Sequence, residues 1–223
     1  GVQTWALPIC FGVGKMGIPF ISVPTAPSVD GFTSRGAPII VDGLKQTFPA
    51  SAPEAIFADL DVLQRAPQAM VAAGFGDMLA KCTSLFDWKF SAAVHGEAYC
   101  ETAASVTRKA LDDCVQHVEA IARRDREGIR MLITALIESG LAMLLFGQSH
   151  PASGAEHHLS HYWEIDYLRT GRRQLLHGAK VGVATTLIAE LYLRHAFAPH
   201  FPREVHMAAK EMPSPEQIRE WLQ

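Results

Sequence analysis

Ser153-Gly-Ala-Glu-His-His-Leu-Ser-His161 places three histidines within five positions, and His177 follows downstream. Imidazole is a common metal ligand and the side chain whose protonation changes nearest neutral pH. On a helix, His157 and His161 stand four apart and share a face, one turn above the other. That spacing lets both imidazoles share a metal, or lets one hold a metal while the other works on substrate. Spacing alone leaves both open, since the Glu of the zinc-protease pattern His-Glu-x-x-His does not stand between them. Ordinary packed or solvated histidines are the plain alternative.

Gly74-Phe-Gly-Asp77 reads as a flexible approach to a helix over residues 78–90, with Asp77 at its start. An acid at that place is an N-cap worth about 1 kcal/mol, or else a carboxylate ligand held at a rigid helix end. Asp77 with two histidines makes a mixed oxygen and nitrogen set suited to Zn, Ni or Fe(II). The loop from Thr25 to Ser34 is a further candidate, because it leaves the end of an apolar run where an open α/β sheet binds ligands. Thr25, Ser28 and Ser34 can hydrogen-bond a nucleotide, and Asp30 a substrate hydroxyl; alternatively these are turn-making residues only. Gly12-Val-Gly-Lys-Met-Gly17 lacks the Ser or Thr that follows the lysine of a phosphate loop, and it precedes a strand instead of following one. It reads as a turn.

The elements that must carry these residues fall into two textures. Up to about Arg65 the chain reads as strand and loop. Ile18 to Val23 looks like a buried strand between Gly17 and Pro24, Pro38 to Phe48 a hairpin turning at Asp42-Gly43, and Ala55 to Ala58 a strand ending at Asp59. Beyond Pro67 apolar residues recur at three- and four-residue spacing. Helices are expected from Thr102 to about Arg124, from Arg126 to about Phe146, through the histidine cluster to Gly171, and from His177 to Phe197. Ser214-Pro-Glu-Gln217 has the form of a last helix start. The fold expected is α/β plus all-α: residues 1–65 end a nucleotide-binding α/β domain, and residues 66–223 form a helical metal and substrate domain.

Composition narrows the class. The chain has 223 residues, 48% apolar and 19% charged, with a net charge of -3, which suits a globular protein with a sizeable core. Nothing in that balance calls for nucleic acid or an anionic membrane as partner. No uninterrupted apolar segment reaches the ~18 residues of a membrane span. Cys10, Cys82, Cys100 and Cys114 form no C-x-x-C pair and read as reduced thiols, so the cytoplasm is expected.

Four motifs together resemble one family. Pro24-Thr-Ala-Pro-Ser-Val-Asp-Gly31, Gly74-Phe-Gly-Asp77, Pro151 to His161 and His177-Gly-Ala-Lys-Val-Gly182 are similar, in order and approximate spacing, to those of bacterial-type sn-glycerol-1-phosphate dehydrogenases. These sit among iron-type alcohol dehydrogenases, glycerol dehydrogenases and dehydroquinate synthases. The resemblance implies NAD(P) and one divalent metal, Ni, Zn or Fe, as cofactors, and reduction of dihydroxyacetone phosphate to sn-glycerol 1-phosphate. It implies Asp77, His157 and His177 as metal ligands. Asp30, Asp77 and His161 would be substrate-binding, with His161 also catalytic, and Thr25, Ala26, Pro27, Ser28 and Ser34 would contact the cofactor. His158 falls on no functional position. Lys81 and Lys180 are guesses for the phosphate. The partners implied are a small phosphorylated polyol or ketone, with a homo-oligomer left open. Two departures stand out. The glycine-rich pyrophosphate loop is not found, so the chain looks like an interior fragment; and Ala179 replaces the glutamate of His-Gly-Glu-Lys. A related polyol dehydrogenase, a dehydroquinate synthase-like enzyme or a non-catalytic metal-binding fragment are the alternatives.

Overall fold

The computed structural model describes residues 12–33, 35–41 and 44–196. The expected turn at Asp42-Gly43, Ser34 and the helix expected from Ser214 lie outside these residues. The chain divides into a compact unit of residues 1–187 and a second of residues 188–223. Of the second, residues 188–196 are described; they are helical, and Arg194 pairs with Glu190 one turn earlier.

The strand-and-loop half holds four strands among the described residues. β1 (Ile21–Ser22) pairs in parallel with β4 (Ala55–Ile56). β2 (Gly36–Val41) pairs antiparallel with β3 (Leu44–Pro49), with Val41 opposite Leu44, so two residues connect them as the hairpin reading required. The strand expected over residues 18–23 is shorter and not buried: Ile18, Ile21 and Val23 are all exposed. Apolar character alone misled there, because the described partner of β1 is a two-residue strand, too short to cover an apolar face.

Eight helices follow among the described residues: α1 (Leu60–Leu63), α2 (Gln68–Leu79), α3 (Lys81–His95), α4 (Glu101–Gln116), α5 (Val118–Arg123), α6 (Arg126–Phe146), α7 (Ala155–Arg169) and α8 (His177–Ala196). Asp59 caps α1 by accepting from the Asp61 and Val62 amides, and Asp125 caps α6 by accepting from Gly128 at 2.8 Å. The single helix expected over 102–124 is two. It breaks at His117, where the ring Nδ1 lies 2.8 Å from the Asp113 carbonyl that the His117 backbone N–H also reaches. Gly171, with φ at +66°, follows α7 as expected of a stop residue.

α6 is the hub. By length and composition it could cross a membrane, but half of its apolar window is buried inside the protein, against α4, α5 and α2. Leu132, Ile133 and Leu136 of α6 join Val71, Met78, Ala110, Cys114 and Ile121 in the main core. A smaller cluster gathers Leu85, Ala103, Ala104 and Ala142 around Trp88, whose indole N–H donates to the Ala98 carbonyl at 2.9 Å. Burying the Leu, Ile, Val and Met side chains among these contributes about 1.5–3 kcal/mol each, which makes these helices a rigid frame for whatever their polar residues hold.

Candidate metal centre

α2, α3, α7 and α8 each bring part of one buried polar cluster. α2 starts after Pro67 and runs on through Gly74 and Gly76, so Asp77 lies in its last turn and not at a helix start. The sequence reading is corrected on that point: the glycines are there for contact, not for a flexible approach. A Cβ on Gly76 would stand 2.5 Å from the Gly178 carbonyl oxygen, and one on Gly178 would stand 1.9 Å from the Ala73 carbonyl oxygen. α2 and α8 therefore meet backbone to backbone, and this crossing sets Asp77 beside His177, the first residue of α8.

The ligating atoms of Asp77, His157 and His177 all lie within 4.8 Å of one another. His157 Nε2 is 3.6 Å and His177 Nε2 4.0 Å from Asp77 Oδ1. That oxygen is fully buried and accepts no hydrogen bond among the described residues. An unsatisfied buried carboxylate oxygen is costly, and a cation between it and the two imidazoles would satisfy it. Bonds of about 2.0–2.1 Å in a tetrahedral site put ligand atoms about 3.4 Å apart, close to what the residues already offer. The donor set fits a divalent metal.

The charge balance agrees. Asp30, Asp77 and Glu156 are buried carboxylates, and Lys81 is a fully buried ammonium beside them. Lys81 Nζ contacts Asp30 Oδ2 at 2.8 Å and Asp77 Oδ1 at 3.8 Å, and donates to the Ala152 carbonyl at 3.1 Å. Burial alone would raise the pKa of Asp77, but Lys81 and the two imidazoles outweigh it and hold the carboxyl well below its usual range. Burial likewise works against a charged Lys81, yet Asp30 and Asp77 push its pKa up. For His157 burial is again overcome, by Asp77 and Glu156, and its pKa is raised.

The other expected residues are distributed around this cluster. Asp30 is buried, its backbone N–H donates to Asp77 Oδ2 at 3.0 Å, and its own Oδ2 accepts from Ser139 at 2.8 Å. Gly140 admits the adjoining turn, since a Cβ there would collide with the Thr33 side chain. In the same loop Thr25 is exposed, Ala26 and Ser28 are half-buried, and Pro27 is buried, with its carbonyl oxygen 1.9 Å from where a Gly74 Cβ would sit. His161 is half-buried, its ring 6.1 Å from that of His157 and 5.9 Å from that of His177. His158 is exposed, on the outside of the cluster. Lys81 is not placed to hold a phosphate, because its ammonium is enclosed by Asp30, Asp77 and Ala152. Lys180 is buried as well, 3.4 Å from Glu164. Ala179 is exposed in this chain.

A second set, His161, Glu164 and His177, also brings its ligating atoms within 4.8 Å of one another. It shares His177 with the first, and the Lys180 ammonium already lies beside Glu164. The Asp77 set has the buried oxygen in need of a cation. It is the better candidate for a metal centre. Sequence reasoning missed Glu156, which touches His157; only its place next to a candidate ligand could have flagged it. It also missed the role of Lys81, which opens the following helix four residues after Asp77.

Residues 13–67 match the family model for iron-containing alcohol dehydrogenase. The chain is 60% identical over 184 residues to the glycerol-1-phosphate dehydrogenase [NAD(P)+] of Geobacillus thermodenitrificans, covering 82% of this chain and 46% of that one. It is 48% identical over 219 residues to the same-named protein of Bacillus subtilis, covering 95% and 56%. The chain thus spans about half the length of the curated relatives it matches. In fold it is similar to glycerol dehydrogenase from Schizosaccharomyces pombe, at a TM-score of 0.66 and 24% identity over 80% of this chain and 46% of that chain.

Proposed function

Over the half of their length that it spans, the chain is a homologue of glycerol-1-phosphate dehydrogenases of the iron-containing alcohol dehydrogenase group, and on that premise we propose that it is the metal-holding part of an enzyme interconverting dihydroxyacetone phosphate and sn-glycerol 1-phosphate with NAD(P). The observation that carries this reading is the convergence of His157 and His177 on the buried Asp77 Oδ1, which accepts no hydrogen bond among the described residues. These three residues would hold one divalent metal, and Zn, Ni and Fe(II) suit the set alike. When bound, the metal supplies Lewis-acid chemistry and the nicotinamide supplies the hydride.

The remaining residues bind, orient and move protons. The loop carrying Thr25, Ala26, Pro27 and Ser28 leaves the carboxyl end of β1, parallel to β4, where a nucleotide is held in an open α/β sheet; Ser34 belongs to the same stretch. Asp30 ties that loop to α2 through the Asp77 carboxylate and to α6 through Ser139, so cofactor loop and metal helix keep a fixed distance. That fixed geometry is what a hydride transfer requires. His161, half-buried at the edge of the cluster, is the group to hand a proton to the substrate oxygen or take it back. Residues 1–65 are then the end of the nucleotide-binding domain and residues 66–223 the helical domain; the family match ending at residue 67 supports that division. The setting proposed is cytoplasmic, with a small phosphorylated ketone as partner.

The test is turnover with NADH or NADPH, in this chain and in a version extended to the length of its relatives, with dihydroxyacetone phosphate against dihydroxyacetone. Preference for the phosphorylated ketone is expected. Preference for the unphosphorylated one would favour a polyol dehydrogenase, and metal uptake without any NADH binding by calorimetry would favour a non-catalytic metal-binding role.

A further inference from the structure

Glu156 is completely buried beside the metal centre without belonging to its ligand set. Its Oε1 lies 2.7 Å from His157 Nδ1 and accepts the Gly154 backbone N–H at 2.7 Å, while its Oε2 accepts the Thr83 hydroxyl at 2.6 Å. Both oxygens are in use, and the one nearest His157 faces the ring nitrogen opposite the one that points at Asp77. Glu156 is therefore unsuited to bind the metal itself.

We propose, on the basis of the metal reading above, that Glu156 is the positioning residue of the centre, fixing the ring and tautomer of His157 so that Nε2 is presented to the metal. A carboxylate at Nδ1 accepts the Nδ1 proton and leaves the Nε2 lone pair for ligation. The carboxylate is itself held from three sides. Gly154 stands just before α7 and Ala155 begins it, and acidic side chains satisfy both of their amides: Glu156 that of Gly154, and Asp87 that of Ala155 at 2.8 Å. A helix start also favours a negative charge at this place. Glycine at 154 lets the assembly close tightly, since a Cβ there would stand 2.9 Å from the Ser84 Cα and crowd the Asp87 and Glu156 carboxylates at 2.4 and 3.0 Å.

The first turn of α3 supports both buried ligands. Lys81 stands beside Asp77, and Thr83, two residues on, holds the glutamate that holds His157. A cap alone would not need this. The Gly154 amide could be satisfied by an acid at the helix surface, whereas Glu156 is buried and reaches His157 and Thr83 as well.

The experiment measures Co(II) affinity by chelator competition in the full 223-residue chain and in Glu156→Ala, Glu156→Gln and Thr83→Val. Thermal unfolding without metal is recorded for each, and imidazole 15N spectra report the protonation of His157 Nδ1. Glu156→Ala should bind Co(II) about 10- to 100-fold more weakly and lose the fixed Nδ1 proton. Glu156→Gln keeps an acceptor and should fall between it and wild type, with the Nδ1 signal retained. Wild-type affinity in Glu156→Ala with only metal-free stability reduced would overturn the inference and leave Glu156 a structural residue. If Glu156→Ala does not fold, wild-type affinity in both Glu156→Gln and Thr83→Val overturns it equally. A wild-type chain that takes up no Co(II) would overturn the metal reading itself, a result distinct from the other two.

Discussion

Both oxygens of Asp77 are engaged: Lys81, His157 and His177 face one, and the Asp30 amide holds the other. Lys81 is the counter-charge of this group, so Lys81→Met should leave Asp30 and Asp77 buried with no ammonium between them. A loss of about 3–5 kcal/mol in the stability of the metal-free chain is expected by chemical denaturation. A loss under about 1 kcal/mol, the size of an exposed pair, would mean that Lys81 does not balance those carboxylates. Cys114 offers an independent check of the core. It is buried, and burial first, then Asp113 and Glu138, push its thiol up to about 12. A raised folded-state pKa contributes stability that is complete below the ordinary thiol value of 9.0 and is lost as pH rises toward the folded value. Stability should thus fall less steeply between those two pH values in Cys114→Ala than in wild type, and Cys114 should resist alkylation until the chain unfolds. Equal slopes would contradict the burial of this thiol. At this scale the sequence exposed the candidate donors, because histidine and aspartate are visible by type. It hid Glu156 and the enclosed position of Lys81, because a partner contributed from another helix leaves no periodic trace.

Among the elements, the long apolar helix and the hairpin were legible; several element boundaries and the crossings were not. α6 begins at Arg126 and ends at Phe146 as its apolar spacing demands, and β2 and β3 pair antiparallel as the expected hairpin requires. Gly74-Phe-Gly-Asp77 was misread as a helix start because glycine is disfavoured in helix interiors; here its missing side chain is what lets α8 and the Pro27 loop approach α2. That closeness yields a prediction. Gly178→Ala drives a Cβ into the Ala73 carbonyl, a backbone group that cannot swing aside, and it should cost about 1–3 kcal/mol while widening the gap between His177 and Asp77. Metal affinity and thermal stability should fall together. Gly12→Ala, where nothing lies within 4 Å, should change neither. Metal affinity unchanged in a destabilised Gly178→Ala would show that this crossing does not set the ligand spacing.

At the scale of the molecule, the helical half supplies a rigid frame and the strand half supplies a loop laid across it. Residues 13–67 carry the family match, and all three proposed ligands lie beyond it in the helical half, so the metal centre is expected to form without the strand half contributing a ligand. The relatives are about twice as long as the span they share with this chain. The resemblance of four dispersed motifs identified the fold group from sequence; distances between motifs far apart in the chain became visible only in three dimensions. The most direct test is metal stoichiometry after exhaustive removal of loosely bound ions. One divalent metal per chain is predicted for wild type, and none for the His157→Ala/His177→Ala double variant, with both chains folded by circular dichroism. Stoichiometric metal retained by the double variant would contradict the centre at Asp77, His157 and His177.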